Sequence, residues 1–242
     1  MFKIKAIVTD IDGTLTINRE DYRLEIKAIK AIRKAENNGI PIVLVSGNAL
    51  PVVVSLSTYI GTSGPVICEN GCLIFYKGKI YNVATFSSKK AVPIVVEKFK
   101  DFIEPVWQNT YRTFDFAFNV KKEFREQSYA ISLKIQKFLK EKGFKDIVVS
   151  FSGYAIHLMP VSGGKDKGLL KALELMSVRR DEVVCIGDGL NDIDLFRVCP
   201  FSATVSNADE KLKEIAAYVA SKPSGKGFAE IVDYILRQHK TT

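Results

Sequence analysis

A chain of 242 residues, 47% hydrophobic and 26% charged, can bury one large core or a core with a smaller companion, and this composition excludes the disordered and fibrous classes. No apolar run approaches the roughly 18–20 residues that span a bilayer, and Met1-Phe2-Lys3-Ile4-Lys5 meets Asp10 before a signal-peptide core can form, so a cytoplasmic protein is expected. The net charge of +8 admits nucleic acid, an acidic membrane or a small anion as partner, but the lysines are dispersed and no five basic residues adjoin, which favours a solvated basic surface.

In chain order, Ile4, Ile7 and Val8 lie in a β-branched run that reads as a buried strand and ends in Asp10-Ile11-Asp12-Gly13-Thr14. Asp21 is a candidate cap for a helix carrying Leu24, Ala28, Ala31, Ile32 and Ala35, stopped by Gly39 and Pro41. Pro41 to Val45 is a second apolar strand, ending in Ser46-Gly47-Asn48. A helix is expected over Leu50 to Ile60, closed by Gly61, and a third strand over Pro65 to Cys68, ending in Glu69-Asn70-Gly71. Strand, helix, strand, helix, strand with short connections predicts βαβ units and a parallel, doubly wound α/β sheet.

From Cys72 the rhythm changes. Leu73 to Tyr76 and Ile80 to Val83 flank Lys77-Gly78, a hairpin signal. A helix is expected over Pro93 to Phe102, a strand over Thr113 to Val120, and a long helix over Phe124 to Lys142. A second hairpin pairs Ile147 to Phe151 with Tyr154 to Leu158. These pieces predict a smaller α+β domain over residues 84–158, inserted into a core made of residues 1–83 and 159–242. The α/β rhythm then resumes. A helix opens at Gly163-Gly164-Lys165-Asp166-Lys167-Gly168 with Asp166 as candidate cap, and a strand over Val183 to Ile186 ends in Gly187-Asp188-Gly189-Leu190-Asn191-Asp192. Phe201 to Val205 is a fifth strand, and a C-terminal helix carries Phe228, Ile231, Ile235 and Leu236. Cys68, Cys72, Cys185 and Cys199 are expected as buried thiols, since they are too few for a disulfide framework and two histidines complete no zinc set.

Parallel open sheets gather their ligand site at the carboxyl ends of the strands. That rule brings Asp10, Asp12, Ser46, Gly47, Asp188 and Asp192 to one edge, with Lys165 or Lys167 joining them from a helix start. Four carboxylates there require a hard cation, for which oxygen ligands of this kind suit Mg²⁺. A lysine, a hydroxyl and glycine-flanked amides beside such a cation form a cradle for a phosphoryl group.

Asp10-Ile11-Asp12-Gly13-Thr14 resembles the first motif, DxDGT, of the haloacid dehalogenase (HAD) superfamily. Ser46 resembles its second motif, Lys167 within Asp166-Lys167-Gly168 its third, and Gly187-Asp188-Gly189-Leu190-Asn191-Asp192 its fourth, GDxxND. The insertion between the second and third motifs is similar to that of the C2-cap branch, which includes the Cof-type phosphatases. Within that branch Val45-Ser46-Gly47-Asn48 and Cys68-Glu69-Asn70-Gly71 look like the archaeal phosphoglycolate phosphatases and their sucrose-phosphatase-like relatives, and Asn48 stands where many Cof-type members carry arginine.

The resemblance implies an α/β HAD core with a C2-type cap and a Mg²⁺-dependent phosphomonoesterase, with 2-phosphoglycolate as the expected substrate. It makes Asp10 the nucleophile and Asp12 the general acid/base. Asp10, the Asp12 main-chain carbonyl and Asp188 become the Mg²⁺ ligands, with Asp192 a further ligand or a partner of one of them, and Lys167, Ser46, Gly47 and Asn191 contact the substrate. Lys167 is preferred to Lys165 because Asp-Lys-Gly matches the motif register. Arg112, Lys121 and Arg125 are the candidates for reading the organic part, and His157, between Ile156 and Leu158, is expected to be structural. The rival readings are a sugar phosphatase or phosphotransferase of the same superfamily, a phospho-aspartate signalling domain, and a basic nucleic-acid-binding protein. The expected partner is a small phosphorylated metabolite, with no nucleic acid and no membrane; a homodimer is left open.

Overall fold

The structure is a computed structural model that describes residues 4–153 and 155–240. In chain order the elements are β1 (Ala6–Asp10), α1 (Ile26–Asn37), β2 (Ile42–Val45), α2 (Leu50–Ile60), β3 (Val66–Cys68), β4 (Leu73–Tyr76), β5 (Lys79–Asn82), α3 (Val92–Phe99), β6 (Ile103–Pro105), β7 (Phe116–Val120) and α4 (Ser128–Glu141). They continue with β8 (Ile147–Phe151), β9 (Ile156–Pro160), α5 (Lys165–Met176), β10 (Val183–Gly187), α6 (Ile193–Val198), β11 (Phe201–Thr204), α7 (Glu210–Ile215), β12 (Tyr218–Val219) and α8 (Ser224–Lys240).

The larger sheet has the order β12-β11-β10-β1-β2-β3-β4-β5. Its strands are parallel from β12 to β3, and the β4–β5 hairpin adds an antiparallel edge. Every residue of β1, β2 and β10 is buried, as a sheet covered on both faces by helices requires. The chain leaves β1 towards β2 on one side and later returns to β10 on the other, so the strand order reverses beside β1 and opens a crevice there.

The smaller sheet, β6-β7-β9-β8, is wholly antiparallel and buries its own apolar cluster with α3 and α4, including Val95, Phe118, Ile135 and Leu158. The chain is therefore an α/β core with an α+β insertion. Ala84 packs in the larger core, while Phe86 already packs on the apolar cluster of the insertion, and β9 runs on to Pro160, past residue 158.

Several local expectations are corrected. Helix α1 is capped by Glu25, whose carboxylate accepts from the Lys27 amide, while Leu24 instead bridges Thr16. Helix α5 starts from Gly164, with Asp166 inside its first turn. The helix expected to reach Phe102 ends at Phe99, and Ile103–Pro105 becomes a short edge strand. Cys185 and Cys199 are bonded as a disulfide, so only Cys68 and Cys72 remain as buried thiols. The Cα atoms of Cys185 and Cys199 lie 6.1 Å apart, a separation a bridge can span. Tyr154, expected to open a strand, and the first three residues lie outside the described residues.

Candidate active site at the strand ends

Strand register assembles the site. Asp10 pairs with Val45, which sets Ser46 directly past the end of β1, and Thr9 pairs with Ile186, which brings Asp188 to the same edge from the other side. Asp12 and Gly13 turn the chain away. Gly13 has φ +87°, and a Cβ there would collide with the Asp188 carboxylate, so a side chain is excluded on two counts. Asp10, Asp188 and Asp192 each place a carboxylate oxygen within 4.8 Å of the others, and all three are buried.

Two cations face these acids. Lys165 Nζ donates to Asp10 Oδ1 and to Asp192 Oδ1, each at 2.7 Å. Arg19 Nε donates to Asp188 Oδ2 at 2.7 Å, and Thr14 Oγ1 donates to Asp188 Oδ1 at 3.0 Å. The remaining oxygen of Asp192 accepts the Asp188 and Gly189 amides, which ties the carboxylate to its own loop instead of capping α6.

The expectation for Lys167 is overturned. Lys167 is exposed and its ammonium donates to the Val161 carbonyl, whereas Lys165 is buried in the acidic cluster. The physical reason is helical geometry. Two residues along a helix rotate a side chain by roughly 200°, so only one of the pair can face the strand ends. Gly164, not Asp166, caps the helix and thereby puts Lys165 at its first position.

Burial pushes the Asp10 carboxyl well above the usual carboxylate range; Lys165 opposes the shift, while Asp192, Asp188 and Asp12 add to it. Asp188 is pushed up to about 6, chiefly by burial and then by Asp192, against Arg19 and Thr14. Burial alone would lower the Lys165 ammonium, but Asp10 and Asp192 hold it above its ordinary value. Four carboxylates against two cations leave the edge short of positive charge. An all-oxygen, buried donor set with that deficit fits a hard divalent cation.

Asp12 projects differently. Burial raises its carboxyl, opposed by Asn48, whose Nδ2 donates to Asp12 Oδ2 at 2.9 Å. The buried Ser46 Oγ accepts from Asn48 N and Nδ2, each at 3.0 Å, so its own proton is free to be donated elsewhere. Gly47 and the half-buried Asn191 line the same cavity as Asp10, Asp12 and Asp188, a space of about 640 Å³ between the two sheets' domains.

The insertion closes this cavity through buried polar contacts that the motifs do not mark. The Glu69 carboxylate accepts the amides of Thr113, Phe114 and Asp115. Asn70 Nδ2 donates to Asp115 Oδ2 at 2.9 Å, and His157 Nδ1 lies 2.8 Å from the same oxygen. Arg112 Nη1 donates to it at 3.2 Å, while Arg112 Nε and Asp115 Oδ1 have no hydrogen-bond partner among the described residues. Burial would raise the Asp115 carboxyl, yet His157, Arg112 and Asn70 hold it below the usual range. Of the three candidate cap cations, Arg112 lines the cavity and Lys121 and Arg125 do not. Glu69 and Asn70 both adopt positive φ, at 50° and 52°, the kind of backbone strain that collects at functional sites.

Residues 7–143 and 115–232 match the family profile described as haloacid dehalogenase-like hydrolase. The chain belongs to that family and is an enzyme, a hydrolase. It is 42% identical over 234 residues to a phosphoglycolate phosphatase of Staphylothermus marinus, covering 96% of this chain and 98% of that one. A phosphoglycolate phosphatase of Metallosphaera sedula is 40% identical over 233 residues, covering 96% and 99%. Among solved structures, a Thermoplasma acidophilum protein superposes with a TM-score of 0.82 at 29% identity, over 97% of this chain and 99% of its own. The sucrose-phosphatase of Synechocystis, solved with sucrose and phosphate, shares the fold with a TM-score of 0.74 at 14% identity, over 97% and 98%.

Proposed function

We propose that this hydrolase dephosphorylates 2-phosphoglycolate to glycolate through an aspartyl-phosphate on Asp10. The observation that carries the chemistry is the division of labour at the end of β1. Asp10 is clamped through Oδ1 by Lys165, while Asp12, two residues on, is held by Asn48 outside that cluster. One carboxylate is thereby poised to bond to phosphorus and the other to move a proton.

In the first step an Asp10 oxygen attacks phosphorus, the P–O ester bond breaks, and Asp12 gives its proton to the departing glycolate oxygen. In the second, Asp12 takes a proton from the water that attacks the aspartyl-phosphate, releasing inorganic phosphate and restoring Asp10. Lys165 offsets charge beside the attacking carboxylate, and the Ser46 hydroxyl, the Gly47 backbone and Asn191 are placed to hold the phosphoryl oxygens. Mg²⁺ held by Asp10, Asp188 and Asp192, with the Asp12 main-chain carbonyl, would supply a Lewis acid that neutralises phosphoryl charge. Arg112 is the cation suited to the substrate's carboxylate.

The substrate choice is supported by the names of the archaeal relatives at 40–42% identity. A second reading, a sugar phosphate, is favoured by one observation. The cavity of about 640 Å³, with Tyr22, Tyr59 and Trp107 on its walls, is far roomier than a two-carbon ester needs. A phosphate-release panel over small phosphomonoesters, with and without Mg²⁺, on wild type and Asp10→Asn decides between them. A preference for phosphoglycolate that vanishes in Asp10→Asn supports the proposal. A preference for a hexose phosphate would replace the substrate and keep the mechanism, and undiminished activity in Asp10→Asn would remove the nucleophile.

A further inference from the structure

The insertion reaches the reacting groups through a short relay. Gln108 sits in the 3₁₀ turn Trp107–Tyr111, between β6 and β7. Its Nε2 donates to Asn48 Oδ1 at 2.8 Å, and its Oε1 accepts the amide of Ala49, the residue that precedes α2, at 2.8 Å. Asn48 in turn donates through Nδ2 to Asp12 Oδ2 at 2.9 Å and to Ser46 Oγ at 3.0 Å.

An asparagine amide can present either end to a neighbour, and its network decides which. At Asn48 the decision comes from Gln108. Its oxygen is already committed to the Ala49 amide, so its nitrogen must face Asn48, and Asn48 must answer with its carbonyl. Only then does the Asn48 NH₂ point at Asp12 and Ser46. Reversing that amide would set a carbonyl oxygen against the Asp12 carboxylate, a repulsive contact in a half-buried place.

We infer that Gln108 is a positioning residue: through Asn48 it fixes the Asp12 carboxyl in the orientation from which it protonates the leaving group, so that the docked insertion completes the catalytic site. This rests on the reading of Asp12 as proton donor. The relay also couples two domains whose apolar clusters are separate, by hydrogen bonds that exist only while the turn at Trp107–Tyr111 is seated on the end of β2.

The test uses leaving-group dependence, which a purely structural role does not move. An alkyl ester such as 2-phosphoglycolate expels a strongly basic oxygen and needs the proton, while p-nitrophenyl phosphate expels a good leaving group and hardly does. The rate of the first step, leaving-group release within a single turnover, is measured on both esters for wild type, Gln108→Leu, Asn48→Ala, the double variant and Asp12→Asn, which serves as the control for the underlying reading. In Gln108→Leu, this first-step rate on the alkyl ester is expected to fall about tenfold, against less than about threefold on p-nitrophenyl phosphate, with the apparent KM little changed. Asn48→Ala should show the same selective loss, and the double variant should be no more selective than Asn48→Ala alone, since both act along one route. Equal losses on both esters in Gln108→Leu, or a loss confined to KM, would overturn the relay while a selective loss in Asp12→Asn left the reading of Asp12 standing. No selectivity in Asp12→Asn would overturn that reading and the relay with it.

Discussion

Two clusters of charge contribute to the lining of the same cavity, and they are balanced differently. At the strand ends Asp10, Asp12, Asp188 and Asp192 face, among the described residues, the two cations Lys165 and Arg19, and the Asp10, Asp12 and Asp188 carboxyls are all pushed upward by burial. At the junction with the insertion, Asp115 is met by Arg112, His157 and Asn70 and is held below the usual range. Glu69 is raised by burial, but its oxygens are met by the amides of Thr113, Phe114 and Asp115. The junction supplies its own counter-charge and so ties the end of β3 to the segment that leads into β7. The strand ends withhold theirs, and that deficit is what a cation would fill, making a place where a phosphoryl group can be held.

The comparison can be broken most forcefully at the lysine. Lys165→Met should lower kcat/KM by about 10²–10³-fold, while Lys167→Met, at an exposed position, should change it less than about threefold. The reverse ranking would restore the motif-register assignment. Next in size is the cation effect. Mg²⁺ at a hundredfold excess over its Kd should stabilise the wild type by about 2.7 kcal/mol, read as a rise in Tm, and should leave Asp188→Asn nearly unmoved. An equal rise in both would take Asp188 out of the site.

Arg112→Lys should raise KM for 2-phosphoglycolate by about tenfold, since an ammonium cannot offer the planar fork, with a smaller effect on kcat. A change in kcat alone would make Arg112 a structural partner of Asp115. The smallest effect is on pH. A carboxyl held below its ordinary 3.8 contributes stability above that value and loses it as pH falls through the lowered folded value. Urea melts should therefore show wild type losing stability on acidification below about pH 4, and Asp115→Asn starting lower at neutral pH but losing less over that range. Parallel curves would remove Asp115 from the acid limb.

The core was legible because buried parallel strands announce themselves as short β-branched runs, and their ends carry the acids. Asp10, Asp12, Ser46, Asp188 and Asp192 all came from that pattern, and register alone places them together. The lysine was misread because a motif spacing does not say which residue caps the helix. Gly164 takes the cap, which turns Lys165 inward. Arg19 and Gln108 carry no sequence signal of their own, since their partners lie 169 and 60 positions away, and Asn48 was marked by resemblance alone, without its contact to Asp12. One clue did exist for the junction: Glu69-Asn70-Gly71 is polar at the end of an apolar strand, yet all three residues are buried, which demands partners from elsewhere in the chain.

The central claim, that Asp10 bonds to phosphorus while Asp12 moves the proton, is tested most directly in Asp12→Asn with p-nitrophenyl phosphate. That ester needs no acid to depart, so the first step should survive and the second should stall. The account predicts a burst of p-nitrophenol equal to the enzyme present, and borohydride reduction of the quenched protein should convert residue 10 to homoserine, seen by mass spectrometry. Steady turnover without a burst, with Asp10 unmodified or the adduct on another residue, would contradict it.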